Sequence, residues 1–206
     1  QLSQIWNKVY FEKKIILKNF QIPLLGIHNI RNSTAAIAVA LTVGIPIVNI
    51  KNGLKNFKGV QRRFNRIFTF NGVDFYDDYA HHPTEIKSVL EGVKKVFENH
   101  EKVCIFQPHR ISRLKDLRRE FTYCFRDADT IILCPIYTAG EKIKLGFNYN
   151  DFAKEIIRNS KVKLFMIKNN IELAKFLKQN IYGNKIVIGM GAGSISNWMK
   201  KLPELM

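Results

Sequence analysis

VCIFQPHRISRLKDLRREFTYCFRDADTIILCPI, residues 103–136, decides the fold of this 206-residue chain. Two short, nearly all-apolar runs, 103–107 and 130–136, flank a segment that we interpret as an amphipathic helix over 113–126. Short apolar strands that alternate with amphipathic helices are typical of a parallel sheet covered by helices on both faces. The stretch therefore predicts a strand–helix–strand unit of an α/β protein.

The same alternation continues on both sides of this unit. Upstream, a helix is predicted over 83–99, preceded by two strands that turn at Asn71-Gly72, a strong hairpin signal. Downstream, the pattern predicts helices near 150–159, 170–180 and 193–201 and strands at 163–167 and 185–189. Residues 67–206 are therefore predicted to form a doubly wound α/β domain with a mainly parallel sheet.

Residues 1–66 do not show this regular alternation of strands and helices. After a mixed, strand-like stretch from Val9 to Leu17, an Ala-rich helix is predicted from about Ile30 to Val43, followed by a short helix over 47–56. Gly44 is a typical helix stop. We expect this part to be the helical end of another domain, with the boundary near Arg66.

The composition is that of a globular protein, because 46% of the residues are hydrophobic. The chain has 33 Lys and Arg against 17 Asp and Glu, a net charge of +16. Residues 1–58 hold 8 basic and 1 acidic side chain, so the excess is spread along the chain. A solvated surface is a better interpretation than a nucleic-acid groove, although a basic nucleic-acid-binding module stays open as an alternative.

The cellular location is predicted from what the sequence lacks. No run of about 18 apolar residues occurs, so no membrane association is expected. The opening residues do not resemble a secretory signal, and the chain starts with Gln, so we expect a piece of a longer protein. Cys104, Cys124 and Cys134 show no paired spacing, which favours buried, reduced thiols in a cytoplasmic protein.

Four polar clusters follow predicted strands at their carboxyl ends. They are DDYAHHP (77–83), QPHRISR (107–113), YTAGE (137–141) and GMGAGS (189–194). Ligands of open parallel sheets bind outside these ends of the strands. We therefore expect one rim to gather the side chains of Asp77, Asp78, Tyr79, His81, His82, His109, Arg110 and Arg113.

The first cluster offers carboxylates and imidazoles that are capable of metal binding. Consecutive side chains usually diverge, however, so a capping role for Asp78 or His82 at the helix entered at Pro83 is the better interpretation. Substrate contact is expected from Tyr79 and His81 ahead of either role.

In the second cluster, Arg110 and Arg113 lie three residues apart and share one face if a helix begins there. Two guanidinium groups with free backbone N–H groups would hold a carboxylate or phosphate. The alternative is a pair of surface salt bridges with Asp116 or Glu120.

The remaining polar groups are more ambiguous. The glycines of GMGAGS are expected to allow a tight turn, with Ser194 capping the last helix, rather than to bind a dinucleotide. Asn29 and Asn32, close to His28, are either helix caps or a donor and acceptor pair for an adenine edge. Arg62 and Arg63 either belong to a charged strand or are placed so that an arginine side chain can reach a bound phosphate.

Taken in order, GIHNIRNSTAAIAVA, GVQRRF, DDYAHHPTEI, FQPHRISRLKDL, YTAGE and GAGSI resemble the Mur ligase family, and within it the UDP-N-acetylmuramate:L-alanine ligases. The resemblance covers essentially all 206 residues. Departures are Ile111, Ala80 and Thr138, where Tyr, Gly and Ala are usual. The resemblance implies a cytoplasmic, ATP- and Mg²⁺-dependent ligase of peptidoglycan synthesis that joins L-alanine to UDP-N-acetylmuramate through an acyl phosphate.

The resemblance also implies roles for individual residues. His28, Asn29 and Asn32 match the adenine-side motif, and Arg63 matches an arginine that reaches the ATP phosphates. The expected contribution of residues 67–206 to substrate binding is Asp78, Tyr79, His81, His109, Arg110 and Arg113. The implied catalytic set is Arg63, His81, Arg110 and Arg113, and no metal ligand is assigned.

One absence limits the activity expected of the 206 residues. They contain no G-x-x-x-x-G-K-[ST] loop, which in nucleotide-binding enzymes of this kind holds the ATP phosphates and Mg²⁺. We therefore expect residues 1–66 to be the end of a central ATP-binding domain, and the chain to be inactive without the missing N-terminal domains. A sister ligase that adds a peptide instead of alanine is the alternative within the family.

Overall fold

The computed structural model describes residues 4–11, 14–23, 27–141 and 147–206. The chain forms two compact units, Gln1–Val60 and Gln61–Met206. The sequence instead suggested a boundary near Arg66. The difference arises because the residues just before Arg66 are bonded within the second unit, where the Arg62 carbonyl accepts the Tyr79 N–H at 2.7 Å.

The first unit combines a hairpin with two helices. Its elements are β1 (Gln4–Phe11), β2 (Lys14–Ile22), α1 (Ile27–Thr42) and α2 (Ile47–Asn56), and the two strands pair antiparallel. The strand-like stretch predicted from Val9 to Leu17 overlaps both strands, although the expected helical end of another domain did not include a hairpin. A small core is formed by Phe20, Ile22, Ile37 and Ile50.

The two predicted helices of the first unit are confirmed. Gly44 follows α1 with a φ of +80°, and its N–H donates to the Leu41 carbonyl while Ile45 donates to Ala40. This is a Schellman motif, which glycine favours because it has no Cβ.

The second unit alternates strands and helices. In chain order they are β3 (Asn65–Phe70), β4 (Val73–Asp78), α3 (Pro83–Val96), β5 (Glu101–Phe106), α4 (Ile111–Asp116), α5 (Arg118–Tyr123), β6 (Thr130–Leu133), α6 (Tyr149–Ser160), β7 (Lys163–Met166), α7 (Asn170–Asn180), β8 (Lys185–Met190) and α8 (Ile195–Leu205). The strand order is β3-β4-β8-β5-β6-β7, with only the β3–β4 pair antiparallel among these neighbours. The predicted mainly parallel sheet and the hairpin at Asn71-Gly72 are confirmed.

Helices cover both faces of this sheet. Strand side chains such as Cys104, Phe106 and Ile188 form one core with α3, α4, α5 and α6. Their neighbours Ile105 and Val187 point the other way and form a second core with α7 and α8. The alternation along each strand thus produces two apolar layers, and the predicted doubly wound α/β fold is confirmed.

The helix predicted as one element over 113–126 is divided in the structure. α4 begins earlier, at Ile111, and Leu117 adopts a non-helical φ of −112° and ψ of 26° before α5. Leu114 before the break and Phe121 after it are both fully buried in the same core. Across the described residues, no helix is long and apolar enough to cross a membrane.

Candidate functional site

The strand order brings the four polar loops of the second unit to one edge of the sheet. β8 lies between β4 and β5, and β6 lies beside β5. The carboxyl ends of these parallel strands therefore carry the segments that follow Asp78, Phe106, Leu133 and Met190. This edge is the position at which an open α/β sheet binds its ligands.

A row of rings connects three of these loops. The Tyr79 and His81 rings lie 5.1 Å apart between centroids, and His81 lies 5.9 Å from His109. The His109 ring in turn stacks on Tyr137 at 5.5 Å. The convergence expected from the sequence is present for these residues, and Tyr137 joins them although it was not singled out.

Asp78 faces inward from the end of β4. Its side chain is buried, and its carboxylate accepts the N–H groups of Phe64 at 2.8 Å and Ala80 at 2.7 Å. Burial raises the pKa of Asp78 to about 6, and the two backbone hydrogen bonds oppose this rise. Asp78 therefore holds the backbone beneath the rim in this structure, and its direct contact with substrate stays a prediction.

The start of α3 is capped by His82 rather than by Asp78. The His82 Nδ1 accepts the N–H of Thr84 at 3.3 Å, and the Glu85 carboxylate accepts the N–H groups of His82 and His81. This reciprocal arrangement is a capping box. Of the two caps that the sequence left open, the structure thus has His82, which leaves the neighbouring His81 for the rim.

Arg62 is a rim residue that the sequence analysis left ambiguous. Its guanidinium donates from Nη2 to the carbonyl of Gly191, lies 4.6 Å over the Tyr79 ring, and has its Nε 3.5 Å from the Asp77 carboxylate. It thus joins three loops. Arg63, which the resemblance assigns to the ATP phosphates, is exposed, and its backbone N–H donates to Asn65 Oδ1.

His109 and Arg113 are direct neighbours. Arg113 Nη1 lies 3.2 Å from His109 Nδ1 and 3.4 Å from the His109 carbonyl. Burial lowers the pKa of His109, and the neighbouring Arg113, His81 and Arg110 lower it further, while Glu141 opposes them. A neutral imidazole whose Nδ1 accepts from the guanidinium is the form consistent with these contacts.

The anion site expected at Arg110 and Arg113 differs from the prediction in one respect. The N–H groups of Ile111 and Ser112 at the start of α4 are not free, because the Glu141 carboxylate accepts both, at 2.8 Å and 3.1 Å. An anion at this edge would therefore meet the two guanidinium groups and not the helix amides. Among the described residues, neither arginine forms an ion pair with Asp116 or Glu120.

The loop after β8 is closed by Gln107, which the sequence analysis missed. Gln107 is buried, and its side chain bonds Ser194 Oγ at 3.0 Å and accepts the Ile195 N–H at 2.9 Å. The prediction that Ser194 caps the last helix is wrong at the side-chain level, because Gln107 makes that bond instead. The available signal in the sequence was weak: a single amide at the end of an apolar run, directly before a proline.

Gly191 shows why this loop requires glycine. Its φ is +147°, and a Cβ there would lie 2.7 Å from the carbonyl oxygen of Gln107. The close approach of the two backbones agrees with the predicted tight turn and leaves no room for a side chain.

The residues that the resemblance assigns to adenine lie in the first unit. His28, Asn29 and Asn32 belong to the first two turns of α1, which begins at Ile27, so Asn32 cannot cap that helix as one interpretation suggested. Asn32 is exposed and Asn29 half-buried. Two amides three residues apart share a helix face and offer the donor and acceptor that an adenine edge needs.

Mg²⁺ is the second cofactor that the resemblance implies. Within the ranges given above, no three His, Cys, Asp or Glu side chains lie close enough together to hold a metal ion. We assign none of these residues to the ion.

Comparison with known proteins identifies the family. Residues 62–193, most of the second unit, match the family model described as Mur ligase, glutamate ligase domain. The chain belongs to the Mur ligase family. The resemblance drawn from the six sequence motifs is thereby confirmed.

Individual Mur ligases are similar over nearly the whole chain. The UDP-N-acetylmuramate–L-alanine ligase of Pelagibacter ubique is 66% identical over 95% of this chain and 42% of its own length, and that of Bartonella tribocorum is 39% identical over 98% and 44%. The crystal structure of the Mur ligase MurC from Thermotoga maritima is 26% identical, with a TM-score of 0.75 over 93% of this chain and 40% of that one. The chain thus spans about two fifths of the length of these Mur ligases.

Proposed function

We propose that this chain is part of an ATP-dependent ligase that joins L-alanine to the carboxylate of UDP-N-acetylmuramate in the cytoplasm, a step of peptidoglycan synthesis. The relatives that are 66% and 39% identical carry this activity in their names, which supports alanine ahead of a peptide as the nucleophile. The single observation that carries the proposal is the cationic rim, where Arg113 contacts His109 beside an exposed Arg110.

The two arginines suit the anionic groups of this reaction. A guanidinium fork binds a carboxylate through two parallel hydrogen bonds, and binds phosphate oxygens in the same way. Because Glu141 occupies the amides of α4, Arg110 and Arg113 are left as the anion-binding groups of this loop. We assign them to the alanine carboxylate and the acyl group, with His109 and Tyr79 as further substrate contacts.

His81 is assigned as the proton acceptor. Its Nδ1 lies 2.9 Å from the Tyr79 carbonyl oxygen and 3.4 Å from the Glu85 carboxylate. Both partners only accept, so Nδ1 carries the hydrogen in the neutral ring and the lone pair is on Nε2. As the amine nitrogen of alanine bonds to the acyl carbon and phosphate leaves, Nε2 takes the proton that the amine loses.

ATP would supply the phosphoryl group that activates the muramyl carboxylate. We assign His28, Asn29 and Asn32 to the adenine and the exposed Arg63 to the phosphates. The 206 residues contain no P-loop, so we propose that Mg²⁺ and most of the phosphate contacts belong to other domains of the same enzyme.

The test uses the full-length protein that carries this chain, with alanine-dependent phosphate release as the measurement. Arg113→Lys keeps the charge but loses the fork, and is expected to raise the KM for alanine about tenfold or more. Arg119→Lys, an exposed arginine on α5, is the matched control. An unchanged KM in Arg113→Lys would remove the rim from alanine binding.

Two further measurements separate the alternatives. The 206-residue chain alone, given ATP and UDP-N-acetylmuramate, is expected to form no product, and detectable ligation would contradict this. In the full-length protein, preference for a tripeptide over alanine in direct competition would identify the sister ligase instead. Nucleic-acid binding that weakens steeply with salt would support the basic-module alternative.

A further inference from the structure

Glu141 closes the loop that follows β6 onto the loop that follows β5. Ala139 and Gly140 have φ values of +51° and +85°, and the Glu141 N–H donates to the Thr138 carbonyl at 3.1 Å. This turn directs the Glu141 side chain to the start of α4. There its Oε2 accepts the N–H groups of Ile111 and Ser112, and its Oε1 accepts the Ser112 hydroxyl at 2.6 Å.

A second set of contacts, made by Tyr137, lies on the other side of the same segment. The Tyr137 carbonyl accepts the Arg110 N–H at 2.8 Å, its N–H donates to the Pro108 carbonyl at 2.8 Å, and its ring stacks on His109. The backbone of residues 108–112 is therefore held at both ends by the turn 137–141. Glu141 provides the charged half of this connection.

The backbone of Arg110 needs such support. Its φ is +69°, a region that side-chain-bearing residues rarely adopt. A conformation of this kind costs free energy and persists only where the surrounding structure fixes it. The Arg110 N–H is bound to Tyr137, and the next two N–H groups are bound to Glu141, so the strained residue lies between two fixed points.

We propose that Glu141 is a positioning residue of the ligase. It fixes the backbone from which Arg110 and Arg113 extend. Because it also occupies the amides at the start of α4, a substrate anion binds the two guanidinium groups instead of those amides. The inference rests on the proposed function for the identity of the anion. It follows from the contacts that the carboxylate neutralises the donors of α4, so a substrate carboxylate gains no bond from that helix end. Glu141 itself does not need to touch substrate.

The experiment compares Glu141→Gln, Glu141→Asp and Glu141→Ala in the full-length protein. Glu172→Gln is the matched control, since the Glu172 carboxylate also accepts a backbone N–H before a helix, that of Lys168 at 2.8 Å, but near α7. Loss of one hydrogen bond to a charged group corresponds to a change of about tenfold in a binding constant. We expect Glu141→Gln to raise the KM for alanine by about this factor, with kcat changed less, and Glu172→Gln to leave the KM unchanged.

Two structural readouts accompany the kinetics. Hydrogen exchange of peptides that cover Ile111 and Ser112 is expected to become faster in Glu141→Gln and not in Glu172→Gln. The pKa of His109 is expected to fall, because the Glu141 charge raises it. Glu141→Asp is expected to recover part of each effect, and Glu141→Gln serves if Glu141→Ala does not fold.

The outcomes distinguish the two proposals. If the unmodified protein does not ligate alanine, the proposed function fails, while exchange at Ile111 and Ser112 still decides the role of Glu141. If alanine is ligated and Glu141→Gln changes neither the KM nor the exchange, the positioning role is overturned and the proposed function stands.

Discussion

The carboxylate of Asp78 accepts the backbone N–H of Phe64 at 2.8 Å, which joins the segment before β3 to the end of β4. The same segment carries Arg62 and Arg63, so the Asp78 hydrogen bond fixes the backbone from which both arginine side chains extend. Since the Phe64 ring also stacks on Tyr76 at 4.2 Å, an apolar contact supports the polar one. The base of the rim thus depends on a buried acid.

That acid is expected to make stability depend on pH. The folded-state pKa of Asp78 is about 6, above the ordinary 3.8, so the folded chain binds the proton more tightly than the unfolded chain. The stabilisation from the protonated carboxyl is full below about pH 4 and is lost as the pH rises through about 6. The difference of about two pH units between the two pKa values corresponds to about 3 kcal/mol of unfolding free energy. Asp78→Asn is expected to abolish this contribution. Urea unfolding between pH 4 and 7 measures it, and parallel pH profiles for the two proteins would contradict it.

His109 is expected to be neutral at pH 7, because burial and the neighbouring Arg113, His81 and Arg110 lower its pKa. Arg113→Gln removes one of these charges and is expected to raise the pKa of His109. Titration of the imidazole signals by NMR measures the change. Arg119→Gln on α5 serves as the control, and an equal rise in both variants would rule out the direct contact as the cause.

Gly191 and Gly92 provide a matched pair of substitutions. Gly191→Ala places a Cβ 2.7 Å from the Gln107 carbonyl oxygen at a φ of +147°, and is expected to destabilise the protein by about 1–3 kcal/mol. Gly92 lies within α3, and a Cβ there would meet no atom within 4 Å. Gly92→Ala is therefore expected to stabilise by about 0.5–1 kcal/mol. Denaturant unfolding of both variants tests the opposite signs, and a stabilised Gly191→Ala would refute the strain argument.

The three cysteines are expected to resist thiol reagents in the folded state. All three are buried and free, and burial raises the pKa of Cys134 to about 12 and raises those of Cys104 and Cys124 as well. Because the thiolate is the reactive form, labelling should follow unfolding. Rapid labelling of any of them in the native protein, measured by mass spectrometry, would show the burial to be wrong.

Arg62 and Arg63 are adjacent but are expected to respond differently to substitution by lysine. Arg62→Lys loses the fork that spans Gly191, Asp77 and Tyr79, and is expected to cost about 1–3 kcal/mol of unfolding free energy. Arg63→Lys changes an exposed side chain and is expected to alter stability by less than about 0.5 kcal/mol. Thermal unfolding of the two variants compares them, and equal losses would contradict the assignment.

The order of elements in the second unit could be predicted from the sequence because it depends on local patterns. Apolar runs such as 103–107 and the Asn71-Gly72 turn identify strands without knowledge of their partners. The position of β8 between β4 and β5 depends on pairing across about 80 to 110 residues, which no local pattern encodes. The break at Leu117 also went unpredicted, since the residues on both sides of it continue an amphipathic pattern.

The rim was predictable to a similar extent. The rule that ligands meet the carboxyl ends of parallel strands was enough to collect Tyr79, His81 and His109 at one edge. The residues that hold them there were not predicted, because Gln107 and Glu141 act on partners 88 and 30 residues away in the chain. The positive φ of Arg110 was equally hidden, since arginine carries no signal for that conformation.

The central position of β8 has a consequence for biosynthesis. Until residues 185–190 leave the ribosome, β4 and β5 have no strand between them, and each exposes an unsatisfied row of amides and carbonyls. A nascent chain in this state is vulnerable to aggregation and is a natural client for chaperones. Slow translation ahead of Lys185 would prolong that exposure, whereas arrival of β8 joins the two halves of the sheet in a single late event.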